Sequence, residues 1–214
     1  MQIAIIGAGH VGGALGKGWA RAGHAIRYGV RDPSSAVLAA DVAGKAMVGT
    51  TPDAIRGADL IVLAVHWQDV PDALKACGDL SGRILIDATN PLAFGPDGIS
   101  LALGFDRSGS EEVAARCPGA LVFKTLNQVG YEVMADTSGF VAPPVMFIAG
   151  PQGTALQQVS QLVTDLGFAA KWVGNLALTR LLEPYAMLWI HTALSGRMPQ
   201  DSAFALLNRA GDAS

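Results

Sequence analysis

The chain has 214 residues, 50% of them hydrophobic, with a formal net charge of -3 and a pI near 5.7. That length supports one core-forming domain, or one domain with a small appendage. No basic block is present, which argues against nucleic acid or a membrane surface as partner, and no apolar run approaches the roughly 20 residues that span a bilayer.

The chain opens on a short apolar run, Ile3 to Ile6, followed by Gly7-Ala8-Gly9-His10-Val11-Gly12 and a helical pattern from Ala14 to Ala22. Strand, G-x-G-x-x-G and helix in that order form the dinucleotide-binding fingerprint. Gly7 permits the tight turn, Gly9 keeps side-chain atoms away from a pyrophosphate, and Gly12 lets helix and strand approach closely. The helix N-terminus offers N–H groups and partial positive charge to phosphates.

Apolar runs then alternate with helix-like segments. Strands are expected at Ala25 to Val30, Ala46 to Val48, Leu60 to Val65, Ile84 to Asp87, Leu121 to Lys124, Val145 to Ala149 and Ala169 to Val173. Helices are expected at Thr51 to Gly57 (Thr51 as cap and Pro52 in the first turn), Asp69 to Cys77, Glu111 to Arg116 and Thr154 to Leu166. Residues 92 to 108, rich in Gly, Pro and Ser, read as a long loop. This β-α alternation predicts an α/β fold, a doubly wound and mostly parallel sheet. Residues 1–174 read as a dinucleotide-binding Rossmann domain and 175–214 as a small helical segment. In that segment Tyr185 to Ile190 is apolar all round, which predicts a helix buried on most sides, and Pro184 predicts a kink. Such a helix packs on its own sheet or on a second subunit, and a homodimer is expected.

The end of the second strand faces the adenosine ribose in this fold. Asp32 lies about twenty residues beyond the glycines, where NAD-specific sites carry an acid. Counting from Gly23-His24, however, Val30 is the strand tip and Arg31 flanks the ribose, where its guanidinium pairs with a 2′-phosphate. NADP(H) is therefore the expected cofactor. Val65-His66-Trp67 and Asn90-Pro91 follow later strands at the ligand-gathering edge, and both are candidate cofactor contacts. The bland alternatives are a capped turn with Trp67 in the core, and an Asx turn at Asn90. Asn127, Met187 and His191 are candidates for the acceptor pocket, although a packed core is the more frequent fate of residues such as Met187 and His191 on an apolar helix. Glu183 reads as a helix-end or intersubunit pair, with a buried acid as the alternative. No Ser-His-Asp set, no metal-ligand spacing and no supported catalytic lysine is apparent. Cys77 and Cys117 read as buried small hydrophobes. The N-terminus lacks a signal-peptide pattern, so the cytoplasm is the expected location.

Several segments together resemble the coenzyme F420-dependent NADP reductases and their wider circle of dinucleotide-binding oxidoreductases, which includes the cytoplasmic domain of the STEAP metalloreductases. They are Ile5 to Gly12, Gly29-Val30-Arg31-Asp32-Pro33, Ile86-Asp87-Ala88-Thr89-Asn90-Pro91-Leu92, Phe123-Lys124-Thr125-Leu126-Asn127 and Leu182 to Ile190. The resemblance implies a Rossmann domain with a short helical C-terminal part, paired in dimers. It also implies bound NADP(H) whose nicotinamide passes hydride to a flat acceptor, coenzyme F420 or a flavin. Such chemistry asks the protein for proximity and orientation, with no protein-derived catalytic group. Three positions depart from the F420 enzymes: Val30 replaces a common Ser, Asp32 replaces a common basic residue, and Asn127 stands where a His is expected. Ser34 and Ser35 are candidates to compensate at the phosphate clamp. The acceptor stays open between deazaflavin, flavin and another small molecule. Two further readings stand beside this one. A small-substrate NAD(P) dehydrogenase usually carries a longer helical C-terminal domain, and a dinucleotide-binding sensor needs no catalytic group.

Overall fold

The computed structural model describes residues 1–33, 46–96, 98–207 and 209. Ser34 and Ser35 lie outside these. The first unit runs β1 (Gln2–Ile6), α1 (His10–Arg21), β2 (Ala25–Val30), β3 (Ala46–Thr50), α2 (Thr51–Ile55), β4 (Leu60–Leu63), α3 (Val70–Cys77) and β5 (Ile84–Asp87). A hairpin of β6 (Leu92–Gly95) and β7 (Gly98–Leu101) follows. The chain continues through α4 (Gly109–Arg116), β8 (Leu121–Lys124), α5 (Tyr131–Ala135), β9 (Val145–Ala149), α6 (Thr154–Asp165), β10 (Ala169–Gly174) and α7 (Thr179–Leu194).

Among the described residues the main sheet has eight strands in the order β10-β9-β8-β5-β4-β1-β2-β3. Six of them, β3-β2-β1-β4-β5-β8, reproduce the doubly wound order in which the chain reverses direction beside the first strand. All neighbours pair in parallel except β8 and β9, which meet antiparallel at Lys124 and Ala149. Burial on both faces explains the unbroken apolar strands. Along β1 the side chains alternate: Ile3 and Ile5 join Leu15, Trp19 and Phe123 on one face, while Ala4 and Ile6 join Leu63, Leu74 and Val113 on the other. Cys77 and Cys117 are free thiols buried in the second cluster, as expected.

Four expectations need correction. Residues 92 to 108 are not one loop, because Leu92 to Gly95 pairs antiparallel with Gly98 to Leu101. The glycines and proline that suggested a loop belong to a hairpin whose second strand, β7, packs beside α7. Thr50, not Thr51, caps α2, and its hydroxyl accepts from the Asp53 N–H. The short α5 was missed. Finally, α7 is covered unevenly within one chain: in Tyr185 to Ile190, Leu188 alone is exposed. Leu182, Glu183, Ala186, Trp189 and Ala193 face inward, whereas Leu181, Leu188 and Leu194 are 65%, 56% and 58% exposed. The helix continues through Pro184. No helix among the described residues is long and apolar enough to cross a membrane.

Candidate functional site

The glycine loop leaves β1 and bends under close backbone contact. Gly7 has φ of +104°, and a Cβ there would stand 2.5 Å from the Ala64 carbonyl oxygen. A Cβ on Gly12 would stand 2.0 Å from the Gly7 oxygen, so α1 packs against the loop only because both residues lack one. Gly9 differs. Its φ of -75° suits any residue, and a Cβ there would meet nothing within 4 Å. The protein itself places no demand for glycine at this point; the free space lies in front of the loop. Gly9 is also the N-cap of α1, with no side-chain cap and no acid in the first turn. The first helical bond runs from the Gly13 N–H to the Gly9 carbonyl, leaving the His10, Val11 and Gly12 N–H groups without helical partners. A helix N-terminus in this state suits a phosphate.

The other expected residues line the same edge of the sheet. Val30 ends β2, and the exposed Arg31 follows it, donating to the Asp69 carboxylate at 3.2 Å. Asp69 closes the 3-10 turn Trp67–Asp69 beyond β4, for which His66 is the N-cap. Val65 and Trp67 pack partly buried against the second core cluster, while His66 is exposed. Asn90 and Pro91 follow β5, and Asn127 follows β8. With strand order β2-β1-β4-β5-β8, the tips carrying Arg31, the glycine loop, Val65, Asn90 and Asn127 stand in a row. The His10 ring stacks on Tyr131 with centroids 4.7 Å apart, so α5 borders the loop. The neighbouring Glu132 carboxylate raises the Tyr131 hydroxyl above its ordinary range.

Asn127 does not open on the cleft as an acceptor-pocket residue would; it is 3% exposed. Its Nδ2 donates to the Asn90 Oδ1 at 3.0 Å, and Asn90 returns a bond to the Asn127 carbonyl at 2.9 Å. The Asn127 Oδ1 accepts from Gln128. Leu126, with φ of +60° in the left-handed region, turns the backbone between β8 and this pair. Met187 is partly buried on α7, and His191 is exposed on the outward face with Leu188, so His191 is not a core histidine.

The sequence reading missed a buried polar cluster beneath Asn90. Lys124 and Asp87, adjacent in the parallel register of β5 and β8, are each 0% exposed and lie 3.0 Å apart. Glu183, 1% exposed, reaches in from α7 to 3.3 Å from the Lys124 Nζ. It is a buried acid at a helix end, though the end is that of α4 and not of its own helix: its carboxylate accepts the first N–H groups of α4, from Gly109 and Ser110. Lys124 is thus well supported, against the expectation of no such lysine, but its full burial keeps it from touching a ligand. Two matching signals were present: Ile84 to Asp87 and Leu121 to Lys124 are both apolar strands ending in opposite charges.

Residues 2–91 match the family model of coenzyme F420-dependent NADP oxidoreductases. The hypothetical protein SMa0349 of Sinorhizobium meliloti is 32% identical, with a TM-score of 0.74 over 83% of this chain and 86% of that one. The chain belongs to the F420-dependent NADP oxidoreductase family. A candidate F420-dependent NADP reductase from Arthrobacter sp. FB24 superposes with a TM-score of 0.87 at 26% identity, covering 97% of this chain and all of that one. Rat metalloreductase STEAP3 is 24% identical over 182 residues, which are 85% of this chain; the chain spans 36% of that relative's length.

Proposed function

We propose that the protein binds NADP(H) along the strand tips and passes hydride between its nicotinamide and a planar acceptor, coenzyme F420 or a flavin. The observation that carries this reading is Gly9, a glycine whose missing side chain the fold does not require, facing open space at an uncapped helix N-terminus. The His10, Val11 and Gly12 N–H groups would hold the pyrophosphate there, with Ala8 in the loop backbone. Arg31 would take the 2′-phosphate, exchanging its exposed pair with Asp69, which is worth little in solvent. Val65, His66 and Trp67 would border the ribose side. Asn90 and Pro91 would meet the nicotinamide, with the Asn90 Nδ2 holding its carboxamide.

When bound, NADPH supplies the hydride and the acceptor takes it together with a solvent proton. The protein holds the two rings face to face, which accounts for much of the rate in such transfers. Asn90 fixes one ring through the pair with Asn127. Residues 175–214, with Met187 and His191 on α7, would form the acceptor side. The exposed stripe of Leu181, Leu188 and Leu194 would be covered by a second copy of the chain.

Purified protein incubated with NADPH and, separately, F420, FMN, FAD or a ferric chelate tests the reading. Loss of absorbance at the nicotinamide band with a planar acceptor supports it. Tight NADPH binding without turnover on any of them identifies a binding module instead, and absence of dinucleotide binding overturns both.

A further inference from the structure

The buried cluster below Asn90 has one cation and two carboxylates. Lys124 donates to Asp87 Oδ2 at 3.0 Å and to the Thr89 carbonyl at 2.6 Å, and lies 3.3 Å from Glu183 Oε1. The ammonium thus makes two hydrogen bonds and one further ion pair, and all four residues are at most 3% exposed. The excess negative charge lies at the N-terminus of α4, where the Gly109 and Ser110 N–H groups and the Ser110 hydroxyl donate to the two carboxylates. Asp87 Oδ1 in turn accepts the Thr89 N–H at 3.0 Å and its hydroxyl at 2.7 Å.

The consequence falls on a single stretch of backbone. Thr89 is gripped on both sides, its N–H by Asp87 and its carbonyl by Lys124. That carbonyl belongs to the peptide leading into Asn90. Asn90 is the partly exposed member of the group, and its side chain is held from behind by Asn127. An apolar core fills space as well as this cluster does, but a fully bonded polar one specifies orientation. Glu183 is the only member from the C-terminal helix, and α7 is tied to α4 again by Ser108 with Thr179 and by the two-pronged Arg180–Glu111 pair.

We propose that Lys124, Asp87 and Glu183 are positioning residues, which aim the Asn90 amide at the nicotinamide through the Thr89 peptide and link that aim to the seating of α7. This rests on the NADP(H) reading above. The cluster touches no ligand. Its effect is confined to the nicotinamide half of the cofactor, since the glycine loop and Arg31 are held by β1 and β2 instead.

The test uses the full chain and two probes, NADPH and 2′-phospho-ADP-ribose, which lacks the nicotinamide. Glu183→Gln is expected to weaken NADPH binding about tenfold, the loss of roughly one well-made hydrogen bond, and to change 2′-phospho-ADP-ribose binding less than about twofold. In an Asn90→Ala background the same substitution is expected to add less than about twofold, because the residue through which it acts is gone. Thr89→Val, which removes only the hydroxyl bond to Asp87, is expected to act in the same direction and serves if Glu183→Gln does not fold. Equal weakening of both probes, unchanged NADPH affinity, or independent effects of Glu183→Gln and Asn90→Ala would overturn the proposal while leaving the cofactor reading intact. Failure of the unmodified protein to bind either probe overturns the cofactor reading, and this proposal with it.

Discussion

Gly9→Ala separates binding from folding at the glycine loop. An alanine Cβ at this position meets no protein atom within 4 Å, and φ of -75° is ordinary for alanine. Alanine is a poorer N-cap than glycine by roughly 0.5–1 kcal/mol, and the loss of unfolded-state freedom returns about 0.4–1 kcal/mol. Stability is therefore expected to stay within about 1 kcal/mol, or some 2–4 °C in Tm for a chain of this size. Binding should respond otherwise, since the methyl group stands where the phosphate would approach. Loss of one backbone bond to an anion, at roughly 1.5–3 kcal/mol, weakens NADPH binding by about 10- to 100-fold. Gly12→Ala is the contrasting variant: its Cβ would lie 2.0 Å from the Gly7 oxygen, so α1 must shift. It is expected to lose about 1–3 kcal/mol of stability, the usual consequence of overpacking. The assays are a thermal melt without ligand and a fluorescence titration with NADPH. A folded Gly9→Ala protein that binds NADPH as tightly as the unmodified chain refutes the placement of the pyrophosphate at this loop.

Other outcomes follow from the same structure. Arg31→Ser should raise the KM for NADPH at least tenfold while changing that for NADH less than about twofold, as steady-state kinetics will show; equal effects on both remove Arg31 from the 2′-phosphate site. Leu181→Glu with Leu188→Glu should convert a dimer to a monomer in light scattering, and a stable monomer of the unmodified protein at micromolar concentration removes the dimer. Burial raises Tyr28 and Cys77 to about 12 from ordinary values of 10.0 and 9.0, so the unfolded chain releases these protons first. Their contribution to stability is intact below pH 9 and is lost as pH rises toward 12, so chemical-denaturation midpoints should fall across that window. A midpoint that stays flat there contradicts the burial.

Much of the site was legible because its parts are local. The close contact at Gly12 lies within one β-α unit, although α1 starts at His10, ahead of the Ala14 read from the pattern, and the turn at Gly7 also depends on Ala64 beyond β4. Arg31 was placed by counting along a single strand, and β2 does end at Val30. Asn90 was found because it follows an apolar run. The failures share the opposite character. Residues 92 to 108 looked like a loop because Gly, Pro and Ser interrupt them and their strands are only partly apolar, and the pairing is visible only with both strands in view. The all-round apolar run of α7 suggested burial, yet hydrophobicity names no partner, and within one chain Leu181, Leu188 and Leu194 are left exposed.

The sequence alone determined the α/β alternation, the glycine loop and the polar residues that follow the strands, since backbone sterics and side-chain period act over a few residues. Only the tertiary structure decided that Asp87, Lys124 and Glu183 meet beneath Asn90. Asp87 and Lys124 stand 37 residues apart in the chain and are brought together by strand order; Glu183 comes from a helix beyond the sheet. A buried charge needs a partner, but the sequence does not say which one, because that depends on which strands lie side by side.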